Sequence, residues 1–140
     1  MRFWDASALV ALCVDEPVTG ALRSLVAGGM VAWSVSVVEI ASAIERRTRE
    51  GRLTTSQRDT ARAASRELAA AWTEVSALDA VRDRAVRLVA THPLRAADAM
   101  QLGAALVAVA DRPDGHAFVC TDDRLRAAAA REGFAVLPEA

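Results

Sequence analysis

Four acidic residues from distant parts of the chain are the side chains best suited to chemistry. Asp5 and Asp122 each follow a predicted strand directly, and Glu39 lies in the first turn of the helix after another strand. Asp98 opens a further helix. Carboxylate oxygens are the ligands that Mg²⁺ and Mn²⁺ prefer. An ion held by them can orient and activate a water against a phosphodiester bond. The four acids therefore predict a divalent-metal site, provided that they converge.

Each of these acids also has an ordinary structural explanation. Asp5 can simply cap the helix that follows it, and Glu39 fits the last position of a helix capping box. Asp122 and its neighbour Asp123 both suit a helix N-terminus, so one can be a ligand and the other a cap. Asp98 is different, because it is flanked by alanines on an apolar helix, where an unpaired charge is costly. The joint placement, and no single acid, supports the metal site.

Alternating strand and helix patterns predict how the acids are positioned. A parallel sheet covered by helices on both faces is expected, which is a three-layer α/β/α sandwich with four to five central strands. Residues that follow parallel strands meet at the carboxyl edge of such a sheet. The predicted strands are 3–4, 30–33, 73–77, 117–120 and 135–137.

Helix signals occupy the segments between the strands. Ser36 and Glu39 fit a capping box, arginines occupy the last turn of the helix they begin, and Gly133 ends the final helix. The helix 95–110 is apolar nearly all round, which indicates burial or a subunit interface. The remaining predicted helices are 6–14, 18–26, 57–72, 79–91 and 122–131.

Composition excludes several functional classes. The chain has 140 residues, the size of one domain spanning 1–140, and 53% of them are hydrophobic, enough for one core. All 17 basic residues are arginines, so no lysine is available for a Schiff base, a P-loop or a receiver-type phosphate site. The net charge of −1 means that nucleic acid would have to be bound by local arginine patches.

Cysteine usage and hydropathy indicate the compartment. Cys13 and Cys120 are far apart and belong to no Cys-x-x-Cys or Cys/His cluster, so neither a disulfide framework nor a zinc site is expected. The N-terminus lacks a signal-peptide pattern, and no apolar run reaches the roughly 18 residues of a membrane span. We therefore expect a cytoplasmic protein with no membrane association and no organic cofactor.

Four motifs in register resemble the PIN domain, in particular the toxins of VapBC-type toxin–antitoxin pairs. Their order, spacing and length agree over essentially the whole chain. The matching segments are 3–10 (FWDASALV), 34–43 (SVSVVEIASA), 94–105 (LRAADAMQLGAA) and 118–125 (FVCTDDRL).

The resemblance implies an endoribonuclease that needs Mg²⁺ or Mn²⁺, forms a homodimer and is inhibited by a small antitoxin protein. Asp5, Glu39 and Asp98 match the first three acids of the family, and Ser7 matches a frequent hydroxyl position beside them. The fourth acid is Asp122 if the motif is aligned on Arg124-Leu125, and Asp123 if it is aligned on Thr121. We favour the first alignment.

Arginines near the acids are candidates for contacts with RNA phosphates. Arg95 and Arg124 are nearest to the acids, while a solvated helix face is an equal alternative for the cluster Arg46, Arg47, Arg49 and Arg52. His92 is interpreted as a helix-end residue, and Trp33 and Trp72 as core residues. The alternative function is a catalytically silent PIN-like scaffold that binds protein or RNA. A haloacid-dehalogenase-type phosphatase is disfavoured because a second acid is missing after Asp5.

Overall fold

A five-stranded parallel sheet forms the centre of the protein. In this computed structural model, which describes residues 1–139, the strand order is β3-β2-β1-β4-β5, and all four neighbouring pairs are parallel. The parallel sheet predicted from the sequence is confirmed. The strands are β1 (Arg2–Trp4), β2 (Val31–Trp33), β3 (Thr73–Val75), β4 (Ala117–Val119) and β5 (Ala135–Leu137).

Helices connect the strands in the predicted order. The second helix is shorter than expected: it ends at Arg23, and the chain continues as a 3₁₀ turn, Val26–Gly28. Between them, the carbonyl of Leu25 accepts a hydrogen bond from Arg2 on β1 (2.6 Å). The helices are α1 (Ala6–Cys13), α2 (Thr19–Arg23), α3 (Ser36–Arg49), α4 (Thr55–Ala71), α5 (Leu78–Thr91), α6 (Ala96–Ala108) and α7 (Asp123–Glu132).

The capping box predicted for α3 is wrong. Val35 occupies the N-cap position without a side-chain cap, and Ser36 is already the first helical residue. The Ser36 hydroxyl and the Glu39 carboxylate instead both accept hydrogen bonds from the amide of Gln101 on α6. A buried partner from another helix therefore replaces the local capping interaction.

Two other helix ends follow the sequence signals. The Thr54 side chain accepts from the backbone N–H of Gln57 and the Gln57 side chain accepts from that of Thr54, which is a complete capping box for α4. Gly133 ends α7 at a φ of 112°, a conformation that favours glycine.

The core lies on both faces of the sheet, as a three-layer sandwich requires. One cluster joins the sheet to α5, α6 and α7, and the other joins it to α1, α3 and α4; Trp33 and Trp72 are buried in them. Helix α6 is buried at Ala99 and over 101–106, and Gly103 lies so close to α5 that an added Cβ would stand 2.9 Å from the Val81 carbonyl oxygen. Burial within the subunit thus explains its apolar surface. Within residues 1–139, every helix is too short or too polar to cross a membrane.

Candidate active site

The four predicted acids line one cavity of about 240 Å³ at the carboxyl edge of the sheet. Asp5 follows β1 and caps α1, while Asp122 follows β4 and caps α7. Since β1 and β4 are neighbours in the sheet, these two acids approach from adjacent strands. Glu39 reaches the cavity from the first turn of α3, and Asp98 from the first turn of α6. The sheet order therefore converts four distant positions into one site.

Asp5 is the most deeply placed acid, with only 3% of its surface exposed. Its carboxylate accepts hydrogen bonds from the backbone N–H (3.1 Å) and hydroxyl of Ser7, and from the thiol of Cys120 (3.3 Å). Burial raises the pKa of Asp5 to about 6; these hydrogen bonds oppose the shift, and the charge of Asp98 adds to it. Neutral donors thus hold Asp5 in place.

Glu39 is half-buried and lies against Gln101. The Gln101 amide nitrogen donates both to the Glu39 carboxylate and to the hydroxyl of Ser36 (2.9 Å). Burial raises the pKa of Glu39 to about 7, although the bond from Gln101 opposes this, and the charges of Asp5 and Asp98 raise it further. Glu39 is therefore positioned by an amide and electrostatically coupled to two other acids.

The two remaining acids lie nearer to solvent. Burial, followed by the charge of Asp122, raises the pKa of half-buried Asp98, while Arg95 and Arg124 oppose the shift. Asp122 is exposed, and one of its carboxylate oxygens accepts from the backbone N–H of Leu125 (2.9 Å). Burial, with a smaller contribution from repulsion between the acids, therefore raises the pKa values of Asp5, Glu39 and Asp98, a pattern typical of functional sites.

Asp122 and Asp123 face different surroundings. Asp122 lines the cavity with the other three acids, whereas Asp123 lines a separate cavity with His92 and Arg124. The Asp122 side chain also caps α7, so one residue both caps the helix and lines the acidic cavity. The geometry favours Asp122 as the fourth acid.

The predicted phosphate-binding arginines are only partly brought together. Arg46 and Arg47 line the acidic cavity, and Arg95 and Arg124 are close enough to lower the pKa of Asp98. Arg49 belongs to neither group, because its charge acts on Glu45 on the outer side of α3. His92 ends α5 and lies 2.7 Å from the carboxylate of Glu132, in agreement with its interpretation as a helix-end residue.

Three residues at the site had no role assigned from the sequence. Glu16 lies in the loop after α1, lines the acidic cavity and accepts from the Arg47 guanidinium (2.9 Å). Gln101 holds Glu39, and its spacing of three residues from Asp98 on α6 was an available signal. The Cys120 thiol donates to Asp5, and its sulfur accepts from the backbone N–H of Asp122 (3.3 Å).

The family model of the PIN domain matches residues 2–131. The chain belongs to the PIN domain family. No protein of curated function is similar enough to be matched to it. PIN domains are generally nucleases that act on phosphodiester bonds, and they typically use divalent metal ions. The family and the three-layer fold expected from the sequence are confirmed.

The acids of this PIN domain suit a hard cation by their chemistry. All four offer oxygen donors, and a divalent cation among them would offset the burial and repulsion that raise the pKa values of Asp5, Glu39 and Asp98. They do not form a tight ligand cluster: within residues 1–139, no three His, Cys, Asp or Glu side chains are close enough to hold one ion. Ion binding thus requires side-chain adjustment, which exposed Asp122 and half-buried Asp98 permit.

Proposed function

We propose that this PIN domain is a divalent-metal-dependent endoribonuclease. One observation carries the proposal. Four carboxylates from four segments line a single cavity, and the two most buried ones, Asp5 and Glu39, are held by neutral donors. Burial and, to a smaller extent, repulsion between the acids raise the pKa values of Asp5, Glu39 and Asp98. Such uncompensated acids destabilise a protein that has no use for them. A nuclease that binds Mg²⁺ or Mn²⁺ supplies that use.

The proposed roles follow from the position of each acid. A bound Mg²⁺ or Mn²⁺ supplies activation of a water and neutralisation of charge at the phosphate. Asp5, Asp98 and Asp122 would bind the ion directly, and Glu39 directly or through water. Ser7 keeps the Asp5 carboxylate oriented through its hydroxyl and backbone N–H. That hydroxyl is already committed to Asp5, so we propose no side-chain nucleophile and no covalent intermediate.

RNA as the substrate is supported by the arginines around the acids and by the motif resemblance. Arg46 and Arg47 border the cavity, and Arg95 and Arg124 lie near Asp98. Guanidinium groups bind phosphate oxygens through paired hydrogen bonds. With a net charge of −1, the protein would bind RNA through this local positive rim rather than through its overall charge.

The decisive experiment compares two neutralising substitutions. We expect purified protein to cut end-labelled single-stranded RNA with Mn²⁺ or Mg²⁺, and to stop when a chelator is added. Asp98→Asn should reduce cutting by about 100-fold or more, since it removes an ion ligand and its charge. Asp123→Asn, which removes the same charge from a neighbouring cavity, should cut like the wild type. Asp122→Asn should follow Asp98→Asn.

Two outcomes would contradict the proposal. If Asp98→Asn cuts RNA at the wild-type rate, the acids of the cavity do not take part in cleavage. RNA binding without any cutting in Mn²⁺ or Mg²⁺ would instead favour the catalytically silent scaffold.

We also propose the toxin role, a cognate antitoxin and a homodimer. The motif resemblance supports all three, and the exposed apolar face of α5 formed by Leu78, Val86 and Val89 offers a surface that a second copy can cover. Growth arrest on expression, absent with Asp98→Asn and relieved by a small protein encoded next to this chain, would test the toxin role and the antitoxin. Light scattering of Val86→Glu against the wild type tests the dimer.

A further inference from the structure

A second cavity, of about 470 Å³, adjoins the acidic one. It lies between the α1–α2 loop, the end of α3 and the start of α4. Glu16 and Arg47 line both cavities, so the two spaces adjoin at this ion pair. Ligand pockets typically measure about 300–1,000 Å³. The acidic cavity falls below that range and the second cavity falls within it, so a nucleotide would need the second space.

The wall of the second cavity carries arginines that are available to a phosphate. Arg23 makes no ion pair among residues 1–139, and Arg52 reaches only Glu50, at 3.5 Å on the exposed surface. Arg47 is already held in position, because its guanidinium donates to Glu16 (2.9 Å) and to the Ala43 carbonyl (3.4 Å) while only 16% of its side chain is exposed. A preoriented guanidinium loses little entropy on binding.

The rest of the wall mixes polar and apolar side chains, and besides Glu16 it includes one further carboxylate, Asp15. Ser56 and Gln57 belong to the first turn of α4, where the helix dipole is positive. The Gln57 side-chain oxygen is used in the capping box, whereas its amide nitrogen donates no hydrogen bond among residues 1–139. Val14 and Leu53 supply apolar contact for a base or sugar.

We infer that the second cavity binds the RNA nucleotide next to the scissile phosphate, and that it sets which nucleotide is accepted there. Arg47, common to both cavities, would contact the phosphate that links the two subsites. Arg23 and Arg52 would contact the next phosphate along the strand. The inference rests on the proposed RNA cleavage, and it adds a specificity-determining site that is separate from the acids.

A pair of double variants tests the inference. Arg23→Gln/Arg52→Gln removes two charges from the cavity, and Arg66→Gln/Arg112→Gln removes two from exposed positions that line none of the described cavities. Both are measured in the non-cutting Asp98→Asn background with a short single-stranded RNA pool. We expect the cavity variant to bind about 10-fold more weakly than its control, with a salt slope smaller by about one for each lost phosphate contact.

A shape variant and a sequencing readout separate specificity from charge. Thr60→Trp fills the cavity from its exposed rim without a charge change, and should also weaken binding. With the active enzyme, sequencing of RNA ends should show that both changes alter the nucleotide preference at one position beside the cut, while the requirement for Mn²⁺ or Mg²⁺ persists.

The failures of the two proposals are distinguishable. If the cavity variants match the Arg66→Gln/Arg112→Gln control in affinity and preference, the second subsite is wrong, while cutting that depends on Asp98 leaves the nuclease proposal intact. If they keep RNA binding but lose binding to an antitoxin protein, the cavity is a protein site and the inference is overturned. If wild-type protein neither binds nor cuts RNA, both proposals fail.

Discussion

Buried and partly buried acids in two regions of this PIN domain have opposite electrostatic surroundings. Glu132, at the end of α7, lies 2.7 Å from both the Arg87 guanidinium and the His92 ring, and the pKa of Glu132 is lowered, chiefly by Arg87. Asp5 and Glu39 are held by hydroxyl, thiol and amide groups instead, and their pKa values are raised to about 6 and about 7. Burial acts on both groups, so the partners make the difference.

The difference separates acids that stabilise the fold from acids that prepare a site. The Glu132 cluster connects α7 to α5, and its charges are compensated within the protein. The acids at the sheet edge have only neutral donors on Asp5 and Glu39, with arginines further off beside Asp98. Leaving charges uncompensated costs stability, and such sites are where function is found. The difference can be tested by substitutions at the acidic cavity and at Glu132.

The largest effect is expected for Asp5→Asn. Cutting should fall by about 100-fold or more, because an ion ligand is lost. The metal-free protein should become more stable at pH 7, by up to about 3 kcal/mol, since the burial that raises the Asp5 pKa from 3.8 to about 6 no longer acts on a charge. RNA cleavage assays and denaturant unfolding in chelator measure the two effects.

Asp114→Asn is the matched control for this prediction. Asp114 is exposed in the loop before β4 and makes no ion pair among residues 1–139. We expect no change in either activity or stability. If Asp5→Asn instead lowers the free energy of unfolding of the metal-free protein, the Asp5 carboxylate stabilises the fold as Glu132 does. The proposed difference between the two regions is then wrong.

A smaller effect is expected in the pH dependence of the metal-free protein. A raised pKa in the folded state means that folding takes up protons, so this stabilisation is present below the unfolded pKa values and is lost as pH rises through the folded ones. For Asp5 and Glu39 the window runs from about pH 4 to about pH 7. The free energy of unfolding should fall across it, and Mn²⁺ at pH 7.5 should restore it.

Comparison with Asp5→Asn/Glu39→Gln isolates the contribution of these two acids. Unfolding in chelator at a series of pH values should show that the decline is shallower in the double variant. A decline of equal slope in both proteins would assign it to other groups. A failure of Mn²⁺ to stabilise the wild type at pH 7.5 would count against the cation site itself.

Most of the fold was predictable because local patterns determine it. The segment 135–137 was predicted as a strand with its bounds correct, and Gly133 was predicted to end α7 because few other residues adopt its positive φ. The errors occurred where a distant side chain decides the outcome. Arg2 donates to the Leu25 carbonyl just beyond the short α2, and Gln101 replaces the expected capping box of α3.

The acids of the site were predictable from the sequence, but the shape of the two adjoining cavities was not. Parallel strands bring residues after β1 and β4 to the same edge, so the convergence of Asp5 and Asp122 could be inferred from topology. Glu16 carried no signal, since it lies in a loop and its ion-pair partner, Arg47, is 31 residues further along the chain. The second cavity likewise depends on packing of α4 against α1 and α3, which no local pattern specifies.

The smallest effect on RNA cleavage is expected for a substitution of Glu132, the acid that stabilises the fold. Glu132→Gln removes the negative charge that pairs with the Arg87 guanidinium and contacts the His92 ring, and should lower the free energy of unfolding by about 1–2 kcal/mol. Cutting should stay within about twofold of the wild type, because this cluster lies outside the acidic cavity. Glu67→Gln, an exposed change on α4, should alter neither. If Glu132→Gln kept full stability but lost cutting as Asp98→Asn does, then paired and unpaired acids would share one role, and the electrostatic distinction between them would have no functional meaning.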